Sequence, residues 1–227
     1  MKYLFLFITF FGTLLSFGQF SGANTRYFDQ VKSSLLIDSF KYQKTTKNDN
    51  FYLFDTWSNP SQIIQNNKIY KLNTLNYNIR NDRFEAKFEK DSVFVLNSPK
   101  DVIIKINNKK FIRFIHPETQ RLTFFECIAD FNGESLLIGY GLKIEKGVIN
   151  PLTKEANGPD ILAKKEDYFY TNGITNNLQK VKLNKKTICN LIDEEKLTEL
   201  KKFIKTNRLK YNRVSDVSKI LEFYNSI

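Results

Sequence analysis

The fold is most apparent in residues 63–146, which begin IIQNNKIYKLNTLNYNIRNDRFEAKFEKDSVFVL over residues 63–96. Short apolar-rich runs alternate there with residue pairs that tolerate the positive φ of a tight hairpin turn. These pairs are Asn66-Asn67, Asn81-Asp82, Lys90-Asp91, Asn107-Asn108 and Asn132-Gly133. This alternation of short apolar runs and turn pairs predicts an antiparallel β-meander.

Within residues 75–80 and 84–89, apolar and polar residues alternate with the period of a strand that has one buried and one solvated face. Residues 102–104 and 111–112 instead carry apolar side chains at successive positions. For that reason we expect the middle of the sheet to be covered on both faces. Residues 51–54 are also strand-like, and residues 168–170 and 178–183 predict a last hairpin.

Helices are expected after that hairpin. The first begins near residue 185, and Asp193 and Ser215 are suitable N-caps for two more. Their apolar stripes are Leu197, Leu200, Phe203 and Ile204 in one helix, and Val217, Ile220, Leu221 and Tyr224 in the other. Strands followed by helices indicate an α+β fold. We expect a mostly antiparallel β-meander, as an open sheet or small barrel, with the amphipathic C-terminal helices packed on it.

The N-terminus has the pattern of an export signal. Lys2 precedes an apolar run that ends at Leu15, and the small residues Ser16 and Gly18 follow. We expect a signal peptide of residues 1–18, cleaved before Gln19, and a periplasmic or secreted protein with no later transmembrane segment. An N-terminal anchor is the alternative, although the run is shorter than the about 20 residues of a membrane span.

The rest of the chain divides into three parts. Residues 19–50 are an N-terminal segment with a short helix and a polar loop. Residues 51–184 are the β-meander domain, and residues 185–227 are the C-terminal helices that pack on the same domain.

The chain carries 35 Lys and Arg against 24 Asp and Glu, a formal net charge of +11. Such an excess favours anionic partners and does not specify a fold. The candidate polyanion-binding residues lie in the basic C-terminal region and are Lys180, Lys182, Lys201, Lys202 and Lys205. A structural role is the alternative, because lysines in the last turn of a helix interact favourably with its dipole.

Few residues of the chain suggest chemistry. Cys127 and Cys189 form a candidate disulfide, with two separate thiols as the alternative. The single histidine, His116, precedes a proline and lacks the sequence context of a catalytic base. One histidine and two distant cysteines supply too few ligands for zinc, so we expect no metal site and no cofactor. Gly139 and Gly141 lie in a strand-like run and indicate a β-bulge.

Three functions stay open on this sequence. The favoured one is a non-enzymatic binding protein of the cell envelope whose partner is a glycan, a lipid or another protein. A carboxylate-based glycan hydrolase is the alternative, and it requires two acids such as Glu85, Glu89 or Glu126 to converge in a cleft. Polyanion binding through the basic C-terminal region is the second alternative. DNA recognition is disfavoured, because the loop at residues 207–213 is too long for a helix-turn-helix motif.

Several short motifs occur in a fixed order after the signal peptide. They are YLFDTW (52–57), LNYNI (75–79), FFE (124–126), SLL (135–137) and LEFYN (221–225). With these motifs the chain resembles a family of exported proteins of Bacteroidota-type bacteria that have no assigned activity. The resemblance implies an envelope or secreted location and transfers no functional residue.

Overall fold

The computed structural model describes residues 40–44, 51–89, 92–96, 98–149, 156–172 and 177–227. The expected signal peptide, the short N-terminal helix and the Lys90-Asp91 turn lie outside the described residues. The assignment of residues 1–18 and the division of the chain into domains therefore stay predictions.

The described residues form fourteen β-strands, most of which lie where the sequence pattern predicts them. They are β1 (Phe40–Lys44), β2 (Ser61–Gln65), β3 (Lys68–Leu72), β4 (Leu75–Asn78), β5 (Arg83–Glu89), β6 (Ser92–Leu96), β7 (Ile103–Ile106), β8 (Lys109–Ile115), β9 (Leu122–Phe131), β10 (Glu134–Glu145), β11 (Val148–Ile149), β12 (Ala156–Asn157), β13 (Ile161–Thr171) and β14 (Gln179–Val181). The helices α1 (Lys185–Asn190), α2 (Leu197–Thr206) and α3 (Val214–Ser226) follow, with a 3-10 turn at Glu194–Lys196 before α2.

Two open antiparallel sheets make up most of this α+β fold. The large sheet has eight strands in the order β14-β13-β10-β9-β8-β7-β2-β3, and the small sheet has four in the order β1-β6-β5-β4. The ribbon of β11 and β12 lies in the connection between β10 and β13. The meander thus leaves the large sheet after β3, forms three strands of the small sheet and returns at β7.

The tight turns form at the residue pairs that the sequence predicts. Both residues of Asn66-Asn67, Asn107-Asn108 and Asn132-Gly133 have positive φ, between 48° and 80°. In Asn81-Asp82 only Asp82 has one, with a φ of 46°. Positive φ at both central positions is typical of two-residue hairpin turns, and such turns fix the register of the strands they join.

Three strand predictions need correction. The expected polar loop at residues 41–50 contains most of β1, which pairs with β6 along all its residues. Residues 51–54 do not form a strand, and Tyr52 makes a single bridge with Asn78. Strand β13 begins at Ile161 instead of residue 168, because it pairs with β10 over its whole length.

The predicted β-bulge at Gly139 and Gly141 is also wrong. The irregularity in β10 falls between Leu136 and Leu137, and pairing with β13 continues without a break past both glycines. A Cβ added at Gly139 would lie 2.9 Å from the Phe169 ring and 3.0 Å from the Phe125 ring. Gly139 therefore leaves room for two buried aromatic rings.

The two sheets share a hydrophobic cluster, and aromatic rings contact one another across it. Tyr77 of β4 and Phe84 of β5 have their ring centroids 5.8 and 5.3 Å from that of Phe111 in β8. The sequence predicted only the C-terminal helices as a layer on the large sheet and did not predict the small sheet. The small sheet covers part of the same strands.

A second hydrophobic cluster contains residues of β9, β10 and the helices. Its buried members include Ile128, Leu136, Ile138, Leu200, Ile204, Val217, Ile220, Leu221 and Tyr224. The prediction of Ser215 as an N-cap is wrong, whereas Asp193 occupies the N-cap position of the 3-10 turn before α2. Helix α3 begins at Val214, so Ser215 lies inside its first turn. The Asp193 side chain makes no capping hydrogen bond and instead accepts one of 2.9 Å from the Tyr224 hydroxyl.

Among the described helices, none has the length and apolar character required to cross a membrane.

Candidate anion-binding site

A row of lysines crosses adjacent strands of the large sheet. Lys71 of β3 and Lys105 of β7 are both direct partners of Gln62 in β2, and Lys105 is also the partner of Lys110 in β8. Direct partners in an antiparallel ladder project from the same face of a sheet. We call Lys71, Lys105 and Lys110 the lysine row. Strand β2 lies between them and neighbouring strands are about 4.8 Å apart, so the Cα atoms of Lys71 and Lys105 are separated by about 10 Å.

Two asparagine turns set this alignment. Asn66-Asn67 joins β2 to β3, and Asn107-Asn108 joins β7 to β8. The second turn is held in place because the Asn107 backbone N–H donates to the Pro60 carbonyl at 3.1 Å and its side-chain amide donates to Asn59 Oδ1 at 2.6 Å. A shift of one residue in either hairpin would turn its lysines toward the core.

The lysine row borders a cleft of about 680 Å³ near the Asn107-Asn108 turn, which we call the lysine cleft. Its polar lining consists of Ser61, Gln62, Lys71, Asn73, Lys105, Asn107, Asn108, Lys109 and Lys110. Every charged residue of this lining is a lysine. Ammonium and amide groups donate hydrogen bonds, so the lining suits phosphate, sulfate or carboxylate groups.

Two of the four lysines are paired with acids. The Lys109 ammonium lies 2.7 Å from both carboxylate oxygens of Glu126, and that of Lys110 lies 2.5 Å from Asp130. Burial lowers the pKa of Lys110, but the hydrogen bond and the charge of Asp130 outweigh burial and raise this pKa overall. Lys109 and Lys110 therefore contribute little net charge to the cleft.

Lys71 and Lys105 differ from the other two lysines. Both are exposed, and within the described part of the chain neither forms an ion pair. Two ammonium groups about 10 Å apart in water repel each other by about 0.4 kcal/mol. An anion bound between them would replace that repulsion with attraction.

Glu126 is the most buried acid beside this cleft, at 5% exposed. It accepts hydrogen bonds from Lys109 and from the Tyr140 hydroxyl. Burial and then the nearby Glu126 raise the pKa of Tyr140 well above its usual range. The neighbouring Tyr168 hydroxyl donates to Glu166 at 2.9 Å, and burial together with this bond raises the pKa of Tyr168 to about 12. Both Glu126 oxygens are thus occupied by protein donors.

The structure brings Lys180 and Lys182 together. Both line a pocket of about 530 Å³ that also contains Asp167 and Asn212. Lys180 contacts Asp167 at 3.2 Å and Glu118 at 3.3 Å. Acids within the same pocket thus balance part of this charge.

The other three candidate lysines, Lys201, Lys202 and Lys205, lie on α2 and are exposed. The buried residues of that helix are Leu200 and Ile204. These lysines stay candidates for a second basic surface, apart from the lysine row in the sequence and in the sheet topology.

Cys127 and Cys189 are free thiols, so the candidate disulfide is not formed in this structure. Cys127 donates to Asp130 at 3.0 Å and packs against the cluster of Phe125, Leu137, Phe169 and Leu178. Burial and then the hydrogen bond to Asp130 raise the pKa of the Cys127 thiol. Cys189 is hydrogen-bonded to Tyr211, which packs against the second hydrophobic cluster.

The His116 side chain packs beside two aromatic rings and accepts a hydrogen bond within a turn. Its ring centroid lies 6.0 Å from that of Phe125 and 5.4 Å from that of Phe169. Its Nδ1 accepts a hydrogen bond from the Glu118 backbone N–H at 3.2 Å, which closes the turn after β8. In the described ranges, no group of three or more His, Cys, Asp or Glu side chains could hold a metal ion.

Sequence reasoning missed the lysine row because it concentrated on the basic C-terminal region. A local signal was available for one pair. Lys105 precedes the Asn107-Asn108 turn by two residues and Lys110 follows it by two, and a two-residue turn makes such positions direct partners. No comparable signal exists for Lys71, because its alignment with Lys105 depends on the pairing of β2 with β7, which are far apart in the sequence.

Neither a protein-family model, nor a curated protein, nor a solved structure matches this chain.

Proposed function

We propose that the protein is a non-enzymatic binding protein of the cell envelope that takes an anionic ligand at the lysine cleft. The alignment of Lys71 and Lys105 on one face, with no described acid paired to either, carries this proposal. The two lysines are two strands apart with the uncharged Gln62 between them, so one ligand of opposite charge can contact both ammonium groups. The envelope location rests on the export signal that the sequence predicts at the N-terminus.

The shape of the site favours a partner that carries several anionic groups over a single small anion. The cleft is broad, and its two uncompensated lysines are about 10 Å apart, a distance that spans successive charged groups of a chain. An acidic glycan, a phosphate-bearing envelope polymer or an anionic lipid surface fits this spacing. The amphipathic stripes of α2 and α3 serve, in this proposal, to cover β9 and β10, so that the lysine-bearing strands stay accessible.

The glycan-hydrolase alternative has less support from the acids that it would need. Glu85 is 1% exposed and accepts hydrogen bonds from Tyr52, Asn78 and Arg83. Glu126 has both oxygens occupied, and the side chain of Glu89 lies outside the described residues. Acids that are held by protein donors and closed to solvent are poorly placed to protonate a glycosidic oxygen.

Binding of fluorescent dextran sulfate to the purified protein tests the proposal, with neutral dextran as the control polymer. We expect the double variant Lys71→Gln/Lys105→Gln to lose about tenfold in affinity, since about 1.4 kcal/mol of charge-assisted contact disappears. The matched control is Lys201→Gln/Lys202→Gln, which removes the same charge from α2. This control variant is expected to bind within about twofold of the wild type, because exposed charges at a distance are screened.

The two variants also distinguish the lysine cleft from the basic C-terminal region. If the α2 variant loses affinity and the lysine-row variant keeps it, the polymer binds the C-terminal region and the lysine cleft is not the site. Equal binding of dextran and dextran sulfate by the wild-type protein would overturn the proposal of an anionic ligand altogether.

A further inference from the structure

A row of isoleucines runs beside the lysine row on the same face of the large sheet. Each isoleucine lies two positions along a strand from a residue of the cross-strand row formed by Lys71, Gln62, Lys105 and Lys110, and residues two apart share a face. Ile64 is the direct partner of both Ile69 and Ile103, and the register of β7 and β8 places Ile112 next in line. We call Ile69, Ile64, Ile103 and Ile112 the isoleucine row.

The side chains of the isoleucine row are more exposed to solvent than those on the other face of the same strands. Ile69 is 58% exposed, and Ile64, Ile103 and Ile112 are half-buried. On the other face, Ile63, Ile104 and Phe111 are fully buried at 0% exposed. The same four strands therefore have one face in the core and one face with an apolar row next to a cationic row.

We infer that the anionic partner of this face is a bilayer surface that contains anionic phospholipid. The inference rests on the proposed function and names the partner class of the same site. Lysine ammonium groups at the ends of flexible stems would contact the phosphates, while the isoleucine row about 7 Å away enters the boundary between head groups and acyl chains. The combination of basic residues and adjacent apolar side chains is the pattern of a surface that lies on a membrane without spanning it.

The geometry favours a bilayer over a single lipid molecule. One bound lipid requires a concave apolar pocket that encloses its chains. These isoleucines instead stand side by side across four strands, over about 14 Å, on an open sheet face. A row of this kind contacts many lipids at once, and the excess of basic residues in the chain adds attraction to a negatively charged leaflet.

Co-sedimentation with vesicles tests the inference. The probes are vesicles of phosphatidylcholine alone and vesicles of phosphatidylcholine with phosphatidylglycerol, each with the full purified protein. We expect binding only to the vesicles with phosphatidylglycerol, and we expect Ile69→Thr/Ile103→Thr to lower the partition coefficient about tenfold.

The matched control is Ile115→Thr, because Ile115 is 51% exposed but lies on the opposite face of β8 from Ile112. The single variant Ile69→Thr, at the exposed edge strand, gives the same direction of change if the double variant fails to fold.

Dextran sulfate binding by the same variants separates the two proposals. Normal dextran sulfate binding by Ile69→Thr, with weaker vesicle binding, supports the membrane inference. Vesicle binding by this variant equal to that of the wild type, or no vesicle binding by the wild type, overturns the membrane inference and leaves the anion-binding function intact. If Lys71→Gln/Lys105→Gln binds both probes like the wild type, the proposed function itself fails.

Discussion

Lys105 of β7 and Lys110 of β8 are direct cross-strand partners, and their side chains project from the same face of the large sheet. Asp130 lies 2.5 Å from the Lys110 ammonium, whereas the direct partner of Lys105 on its other side is the uncharged Gln62. One charge of the pair is compensated and the other is not. The uncompensated charge has consequences for stability in the absence of a ligand.

We predict that Lys105→Thr stabilises the protein without ligand. The variant removes the repulsion between Lys105 and Lys71, which is about 0.4 kcal/mol and corresponds to a rise in melting temperature of about 1–2 °C. Thermal unfolding at low salt measures the effect. The control is Lys68→Thr on β3, whose direct partner is Gln65 and not a lysine. If both variants melt at the same temperature, repulsion within the row is not the cause.

We predict that Glu126→Gln destabilises the protein by about 2 kcal/mol, because a charge-assisted contact with Lys109 is lost from a buried position. The Lys109 side chain is 36% exposed and can turn toward water. The variant therefore avoids the larger loss of stability that an unpaired buried charge would cause. Urea unfolding measures the difference. Glu145→Gln is the control, because its ion pair with Lys143 is exposed and is worth at most about 1 kcal/mol. Equal losses in the two variants would contradict a special role for Glu126.

We predict that Asp82→Asn stabilises the protein at pH 7 and that its advantage shrinks as the pH falls toward 4. Burial raises the pKa of Asp82 above its usual 3.8, and hydrogen bonds from Tyr77 and Phe124 offset burial only in part. A carboxyl whose pKa is raised on folding contributes stability that is full below its unfolded pKa and is lost as the pH rises through the folded pKa. Asparagine has no such loss, and its Oδ1 can accept both bonds, which go to one oxygen of Asp82.

Thermal melts of the wild type and Asp82→Asn between pH 4 and 8 check this prediction. The difference in melting temperature should widen with rising pH. A difference that is constant across the range would mean that ionisation of Asp82 has no effect on the free energy of unfolding.

We predict that Gly139→Ala costs about 1–3 kcal/mol, because the new methyl group would lie 2.9 Å from the Phe169 ring and 3.0 Å from the Phe125 ring. Both rings are fully buried and have little room to shift. Gly141→Ala is a matched control two residues along the same strand, since no atom lies within 4 Å of its added Cβ. Urea unfolding should show a loss for the first variant and no loss for the second. Two equal results would mean that the aromatic rings do not require Gly139.

Local signals made much of the fold predictable. Asparagine pairs with positive φ at Asn66-Asn67 and Asn107-Asn108 mark hairpin turns through the conformational preference of the residues themselves. The stripes of α2 and α3 follow from helical periodicity, and six of their eight residues are buried in the second hydrophobic cluster. These features depend on residues within a few positions of one another.

Features that depend on distant partners escaped prediction. Strand β1 is short and has only Phe40 and Tyr42 as apolar residues, and its pairing with β6 joins segments about fifty residues apart. The departure of the chain from the large sheet after β3 leaves no change in composition, so the small sheet was not foreseen. The lysine row has the same origin, because only the pairing of β2 with β7 brings Lys71 into line with Lys105.

The salt dependence of dextran sulfate binding tests whether the lysine cleft binds the anion. Each lysine that neutralises a charge of the polymer releases about one counterion, so affinity falls with salt by about one logarithmic unit per logarithmic unit of salt for each such lysine. We predict a slope for Lys71→Gln/Lys105→Gln that is shallower than the wild-type slope by between about one and two, and an unchanged slope for Lys201→Gln/Lys202→Gln. Parallel slopes for the wild type and Lys71→Gln/Lys105→Gln would contradict anion binding at the lysine cleft.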